Sequence, residues 1–450
     1  MDQVTLDLAS QGQWHAVEMR CRQLLAGIDP PATALLFLAV AACQQGKADE
    51  GCRFFRRFLT IEPSASDAWR NLGMVQFNRD ALDIAARDFY RAIALSPEDK
   101  DSWTYLGHSL YLMSRFKDAL RSLKKAVALF PDDQSLRLLL FYPFHRLGQL
   151  DKAWQMLNAD PSAITSHNIP TWRGGDLEGK TILVWCGANG SLGDDMIFAS
   201  LIPDLIAKGA RVMYECEPRL LPLLGRSFPD ALFVPYVGPS ASSVSPPFPP
   251  DCQVYSRRLV AYCRPTLESF AGTYAYLKAD PQEVTYWRAR LKALGAEPKV
   301  GISWRSGAAW NRIASLEIRD FVQILQVPGV TFINIQYTDC RAELAAIRDE
   351  IGVEIINFEE IDITREVDRS AALMSSLDLA ICVENTSGII AAATGVPSWF
   401  IKREAVHNDA TLPWFPRARR FFRKWDETWA TPVDAAAAAL EQWIGERRAR

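Results

Sequence analysis

Two adjacent stretches, Ser66–Pro97 (SDAWRNLGMVQFNRDALDIAARDFYRAIALSP) and Lys100–Pro131 (KDSWTYLGHSLYLMSRFKDALRSLKKAVALFP), align at a period of 34 residues. Trp69, Leu72, Gly73, Ala85, Phe89, Ala92 and Pro97 recur as Trp103, Leu106, Gly107, Ala119, Leu123, Ala126 and Pro131. A fixed period of this size marks stacked supersecondary units. Small residues let the two helices of a unit approach, large ones fill the gap between them, and proline closes the second helix. Upstream the pattern continues in weaker form through Leu35, Leu38, Ala39, Gly51, Phe55, Phe58 and Pro63, and Trp14 to Pro30 reads as a partial unit. Downstream, Arg137 to Leu157 reads as a degenerate closing unit. Residues 1–160 are therefore expected to form an α-helical superhelix.

These offsets resemble the tetratricopeptide (TPR) pattern of Trp, Leu-Gly, Ala, Phe, Ala and Pro. That resemblance implies peptide binding along a concave face lined by the first helix of each unit. Here the face would present Arg70, Met74, Phe77, Thr104, His108 and Tyr111 to a protein partner. The alternative is that the array packs on the next domain or joins two copies into a homo-oligomer. The TPR O-GlcNAc transferases line their groove with asparagines at the position held here by Phe37, Asn71, Tyr105 and Leu139, so that grip on peptide backbone is not supported.

At 450 residues the chain is long enough for two or three domains. A 49% hydrophobic share and 14 tryptophans argue for packed cores and against disorder. Fifty basic and 53 acidic residues nearly cancel, which gives no electrostatic grip on nucleic acid. The N-terminus, MDQVTLDLAS, has no basic stretch leading into an apolar one, and the apolar run Ala32 to Cys43 is too short to cross a bilayer. A cytoplasmic protein is expected. The nine cysteines are scattered without a CxxC and read as small buried hydrophobes.

From residue 161 to 179 the chain is polar and broken by Pro and Gly, which suits a linker. Strand Thr181–Cys186, a glycine loop, helix Met196–Lys208 and strand Arg211–Glu215 then predict a parallel sheet in a lobe spanning 180–285, interrupted by the Pro/Ser-rich stretch Gly238–Pro250. In a second lobe, 286–450, strands are expected at Val300–Trp304, Val330–Gln336, Glu354–Asn357, Leu379–Val383 and Ser398–Ile401. Helices alternate with them, and the last runs from Pro432 to Arg447. The fold class is α plus α/β. Two such lobes facing one another are the GT-B plan, with a cleft at the strand C-termini.

The segments GANGSLGDD, VGISWRSG, INIQYTDC, LDLAICVENTSGIIAAATGVPSW and LPWFPRARRFFR, in this order, resemble the glycosyltransferase domain attached to many bacterial TPR proteins. That domain is similar to the ADP-heptose:lipopolysaccharide heptosyltransferases. The resemblance implies an inverting, metal-independent transfer from a nucleotide-sugar to a protein acceptor, flagellin among them, or to an envelope glycan, with no cofactor beyond the donor. The N-lobe would take the acceptor and the C-lobe the donor.

Such an enzyme needs a base for the acceptor proton and a cradle for the departing phosphates. Asp194, in the Leu-Gly-Asp triplet, matches the family's presumed base, and Asp195 is its understudy. The competing reading of Asp194 is an N-cap for the following helix. Arg305 and Ser306 follow a strand end where the resemblance places donor phosphate, and Arg312 is a second cation there; each arginine is otherwise a solvated surface group. The loop Glu384, Asn385, Thr386, Ser387, Gly388 opens a small-residue helix that offers amides and hydroxyls to a diphosphate, or simply makes a capped βα turn. The family often has His where this chain has Ile389. His407 stands in a loop, as base, acceptor contact or plain surface residue.

Gly187, Gly190 and Gly193 lack the GxGxxG order of a dinucleotide fingerprint despite Glu215 downstream. The only DxD spacing, Asp99/Asp101, lies in the repeats, so no metal site is expected. A non-catalytic scaffold with a degenerate transferase domain is the rival to the enzyme.

Overall fold

The computed structural model describes residues 2–27, 30–158, 169–186, 191–236, 249–266, 268–270, 272, 274–306, 315–403 and 414–448. The chain divides into two compact units, Met1–Gln149 and Leu150–Arg450.

The first unit is all-helical and built from tetratricopeptide-type helix pairs. Its helices are α1 (Gln3–Ser10), α2 (Trp14–Leu25), α3 (Thr33–Gln44), α4 (Ala48–Ile61), α5 (Ser66–Asn78), α6 (Leu82–Leu95), α7 (Lys100–Leu112), α8 (Phe116–Leu129), α9 (Gln134–Leu139) and α10 (Phe141–Arg146). The period-34 residues explain the pairing. A Cβ on Gly73 would lie 2.8 Å from the Phe89 ring, and one on Gly107 would lie 2.6 Å from Leu123, so any larger residue would have to push these side chains aside. The tryptophans join successive pairs: Trp69 Nε1 donates to the Pro63 carbonyl at 2.9 Å and Trp103 Nε1 to Pro97 at 2.8 Å.

Two residues of the proposed concave face are placed differently from expectation. Tyr111 is 2% exposed and packs on Phe116 and Tyr142, so it presents no face to a peptide. Arg70 is held by Asp67 at 2.9 Å and by Asp99 at 3.2 Å, which ties the first acid of the DxD into a structural ion pair.

The second unit carries two parallel sheets. The first has β1 (Thr181–Trp185), β2 (Arg211–Cys216), β3 (Leu232–Pro235) and β4 (Cys252–Tyr255) in the order β3-β2-β1-β4. The second has β5 (Lys299–Ser303), β6 (Thr331–Asn334), β7 (Ile355–Ile356), β8 (Leu379–Val383), β9 (Ser398–Arg403) and β10 (Arg419–Arg423) in the order β10-β9-β8-β5-β6-β7. Every strand pair is parallel.

The helices of this unit are α11 (Leu150–Asn158), α12 (Leu192–Ala199), α13 (Ile202–Ile206), α14 (Leu221–Ser227), α15 (Leu259–Cys263), α16 (Pro281–Lys292), α17 (Val322–Leu325), α18 (Arg341–Ile351), α19 (Val367–Ser375), α20 (Thr386–Ala393) and α21 (Ala430–Arg448). Pro203 divides α12 and α13, which the sequence reads as one helix, because an interior proline removes a backbone donor. α11 groups with this unit rather than with the repeats, and Trp154 Nε1 donates to the Pro265 carbonyl at 3.1 Å. Part of the expected linker is structured too: Thr171 bridges Gln253 on β4, and Trp172 is buried.

All nine cysteines are free thiols, seven of them buried. Among the described residues no helix is long and apolar enough to cross a membrane.

Candidate functional site

In chain order the six-stranded sheet runs 3-2-1-4-5-6, with β5 first and β8 fourth. The order reverses between β5 and β8, and such a reversal opens a crevice at the strand C-termini where open α/β sheets bind ligands. The two chain segments that leave these strand ends are Trp304–Ser306 and Glu384–Gly388, which contain most of the candidate residues.

A ladder of buried carboxamides crosses this edge. Asn385 Nδ2 donates to Ser303 Oγ at 2.6 Å and to the Arg305 carbonyl at 3.1 Å. Ser303 Oγ donates to Gln336 Oε1 at 2.9 Å, which also accepts from the backbone N–H groups of Trp304 and Arg305, each at 3.1 Å. Asn334 continues the ladder by accepting from Gln336 N at 3.0 Å and donating to Asn357 at 2.7 Å. Four neighbouring strands, β8, β5, β6 and β7, are thus tied at their C-terminal ends.

Asn385 also caps α20, its Oδ1 accepting from Gly388 N at 3.0 Å. Ser387 Oγ donates to the Ile335 carbonyl at 2.6 Å and is buried. Glu384 pairs with the buried Lys402 at 2.9 Å. Among the described residues Thr386 makes no side-chain hydrogen bond, and its side chain is half-buried at the first turn of α20. The Arg305 guanidinium turns toward α18, where it pairs with Glu343, donates to Thr338 Oγ1 at 3.0 Å and donates to the Asp339 carbonyl at 2.8 Å. Ser306 N donates to Ser315 Oγ at 3.0 Å. Arg312 and His407 lie outside the described residues, as do Gly187 and Gly190.

Beyond the ends of β6 and β7 lies a cavity of about 460 Å³, bordered by Asn334, Gln336, Tyr337, Asp339, Asn357 and Thr364. Its size falls within the range of small-molecule sites.

The four-stranded sheet has its own reversal, between β1 and β4. Ser191 and Asp194 form a reciprocal cap on α12, with Ser191 Oγ accepting from Asp194 N at 3.1 Å. Arg257, just after β4, holds Asp194 Oδ2 at 2.9 Å. The carboxylate is thereby both a cap and a partner of a guanidinium. Asp195 points the other way, into the protein. Its Oδ2 accepts from Glu217 N at 3.0 Å, while its Oδ1 is buried without a hydrogen-bond partner. Burial pushes this carboxyl up to about 6, against the weaker opposing pull of its Cys186 and Glu217 contacts. Burial also raises the neighbouring Cys186 thiol and Tyr214 phenol.

The two edges meet. A Cβ on Gly193 would come within 2.7 Å of Ile389 Cδ1, so α12 and α20 touch at their first turns and bring the Asp194 loop to the Glu384–Gly388 loop. Ile389 is 7% exposed in this contact. Between α14 and α19, Arg226 grips Asp368 in a fork at 2.8 and 2.7 Å, and Arg219 donates to the Thr364 carbonyl at 2.6 Å. The Asn334–Gln336–Asn357 ladder is absent from the sequence-based site. Its one signal was the pair of carboxamides closing an apolar strand in INIQ.

Comparison with known proteins gives a partial match. No family model matches the chain. Protein FlbA from Caulobacter vibrioides is 30% identical over 325 residues, 66% of this chain and 53% of that protein. The chain thus spans about half the length of this curated relative. Among solved structures, one of MamA superposes with a TM-score of 0.34 at 19% identity, covering 35% of this chain and 92% of that one. Another MamA structure gives 0.32 at 20% identity, with 34% and 85% covered.

Proposed function

We propose that the second unit is a GT-B glycosyltransferase whose two sheets are its lobes, and that the tetratricopeptide array recruits a protein acceptor. The observation that carries this reading is the 3-2-1-4-5-6 parallel sheet, with its cavity and its reversal edge beside the Asp194 loop. The nucleoside of a donor fits the cavity beyond β6 and β7, where carboxamides and the Asp339 carboxylate suit a base and a ribose diol. The diphosphate lies toward Thr386 and the positive end of α20.

In the reaction Asp194 removes the acceptor proton as its oxygen bonds the anomeric carbon. The bond from that carbon to the diphosphate oxygen breaks, and the nucleoside diphosphate leaves with the electron pair. Arg257 fixes the Asp194 carboxylate in place for this step. No metal is required by the reading, since helix amides meet the departing charge.

A second reading, a scaffold with an inactive transferase domain, is favoured by a specific observation. The polar groups of Asn385, Ser387 and Arg305 are all engaged inside the protein, and Ile389 adds an apolar contact where a histidine is common in the resembling family.

Calorimetry of the purified chain against ADP, UDP, GDP and CMP, and against their sugars, separates the two. Selective binding of one nucleotide, with donor turnover lost in Asp194→Asn while binding persists, is the expected result. Absence of binding by all four would leave the scaffold.

A further inference from the structure

The outermost strand of the second unit takes no part in this site. β10 is the end strand of the six-stranded sheet and, among the described residues, pairs only with β9. From Pro416 to Trp425 the chain reads PRARRFFRKW, five basic residues and no acidic one, in a protein of net charge −3. Arg417, Arg419 and Arg420 have no carboxylate partner among the described residues. Instead Arg417 lies 3.9 Å over the Tyr274 ring, Arg419 lies 5.0 Å over Phe421, and Arg420 donates to the Phe415 carbonyl at 3.2 Å. Phe422 stands 39% exposed beside them.

An open edge carries a row of unpaired backbone N–H and C=O groups and is a template for another strand. Charges commonly guard such edges, and lysine is the usual guard. Here the charges nearest the strand are arginines already seated on aromatic faces and backbone, so they lose little side-chain freedom on meeting carboxylates. The charge runs along one short stretch of chain, Arg419 and Arg420 in β10 and Arg417 just before it, rather than spreading over a face, which fits an extended chain better than a bilayer or a duplex.

We propose that β10 is a docking edge for an extended acidic segment of a protein partner. The segment adds to the sheet as an outer strand and sets its carboxylates against Arg417, Arg419 and Arg420. This inference is independent of the nucleotide-sugar reading.

The test uses the full chain and a fluorescein-labelled decapeptide of repeating Glu-Glu-Val, which sets carboxylates on both faces of an added strand, followed by anisotropy in 50 mM NaCl. The same peptide N-methylated at alternate residues, a Lys/Val counterpart and phosphatidylglycerol vesicles serve as comparisons. The acidic peptide is expected to bind and the Lys peptide to fail. Binding should weaken about tenfold in 500 mM NaCl through screening, in the Arg419→Gln/Arg420→Gln variant, and on N-methylation. The exposed Arg417→Gln change supplies a second variant should the first unfold. Equal binding of the N-methylated peptide would overturn strand addition. Vesicle binding without peptide binding would reassign the edge to anionic lipid. Lack of any binding, with aggregation of the variants, would show that the arginines only guard the edge.

Discussion

Replacing Asn385 by alanine tests whether the carboxamide ladder holds the site together. The side chain makes three hydrogen bonds, to Gly388 N, Ser303 Oγ and the Arg305 carbonyl, and is 4% exposed. Loss of the cap on α20 costs about 1 kcal/mol. Ser303 Oγ and the Arg305 carbonyl each keep a bond to Gln336, so their loss is partial and adds about 1–3 kcal/mol together. The expected destabilisation is therefore about 2–4 kcal/mol, or roughly 4–8 °C in the apparent melting point of a unit this large. Asn385→Ser keeps a capping oxygen but not the cross-strand reach, and should recover about 1 kcal/mol of the loss. Thermal unfolding followed by tryptophan fluorescence reads both variants. A melting point for Asn385→Ala within about 1 °C of the parent would refute the ladder as a structural tie.

Other outcomes follow from single contacts. Gly193→Ala forces a methyl to within 2.7 Å of Ile389 Cδ1 and should cost about 1–3 kcal/mol; Ile389→Val, which removes that carbon alone, should cost less in the Gly193→Ala background than in the parent, as urea unfolding of the single and double variants would show. Asp88, in α6, is 1% exposed with neither carboxylate oxygen hydrogen-bonded, and burial raises its proton affinity although Arg87 lies 3.6 Å away. A raised folded-state value favours folding while the group is protonated and loses that contribution as pH rises, so the stability gain of Asp88→Asn over the parent should grow between pH 4 and pH 8 in parallel urea titrations. For Asp195, pushed up to about 6, the same sign holds: its contribution is complete below pH 4 and gone above pH 6. Asp195→Asn should therefore gain up to about 3 kcal/mol over the parent at pH 8 and little at pH 4, and a carboxyl resonance titrating near pH 4 in the parent would contradict the burial argument.

How much of this was legible in the sequence depends on how a feature writes itself in residue order. The repeats were readable because close helix approach demands small residues at a fixed period, as Gly73 against Phe89 and Gly107 against Leu123 show. β8 was readable to the residue because it is an apolar run with clear ends. β3, β4 and β10 were not. β4 buries Gln253, whose amide donates to the Ile169 carbonyl across 84 residues, and β10 consists entirely of arginine and phenylalanine on an edge that, among the described residues, pairs only with β9. β4 and β10 thus depart from the apolar pattern for reasons of tertiary placement, whereas β3, Leu-Phe-Val-Pro, is apolar but only four residues long. The site divides the same way. Asn385 lies at the loop where its motif puts it and caps α20, whereas Asp194 already stands in the first turn of α12, which starts at Leu192 rather than Met196 and has Ser191 as its N-cap, with Asp194 closing the capping box. The partners of Arg305 could not be read, because Glu343 lies 38 residues away and only folding of the sheet brings it near.

That pairing decides whether Arg305 can meet a phosphate. Two cations at the crest of the sheet each face a carboxylate, Lys402 with Glu384 and Arg305 with Glu343. A nucleoside diphosphate arriving there competes with Glu343 for the guanidinium, so binding draws on the ion pair as well as on the new contact. The Arg305 and Glu343 side chains are 26% and 33% exposed, which places the pair in the range of about 0.2–1 kcal/mol. Glu343→Gln keeps the shape and a hydrogen-bond acceptor while removing the competing charge. If Arg305 serves the donor phosphates, this variant should bind the selected nucleotide about twofold to fivefold more tightly by calorimetry, with Arg305→Gln correspondingly weaker. Weaker binding in Glu343→Gln would mean that the carboxylate holds the guanidinium in its working position. If neither variant changes affinity, Arg305 belongs to the scaffold of the sheet, and among the described residues the phosphate charge has to be met by the first turn of α20.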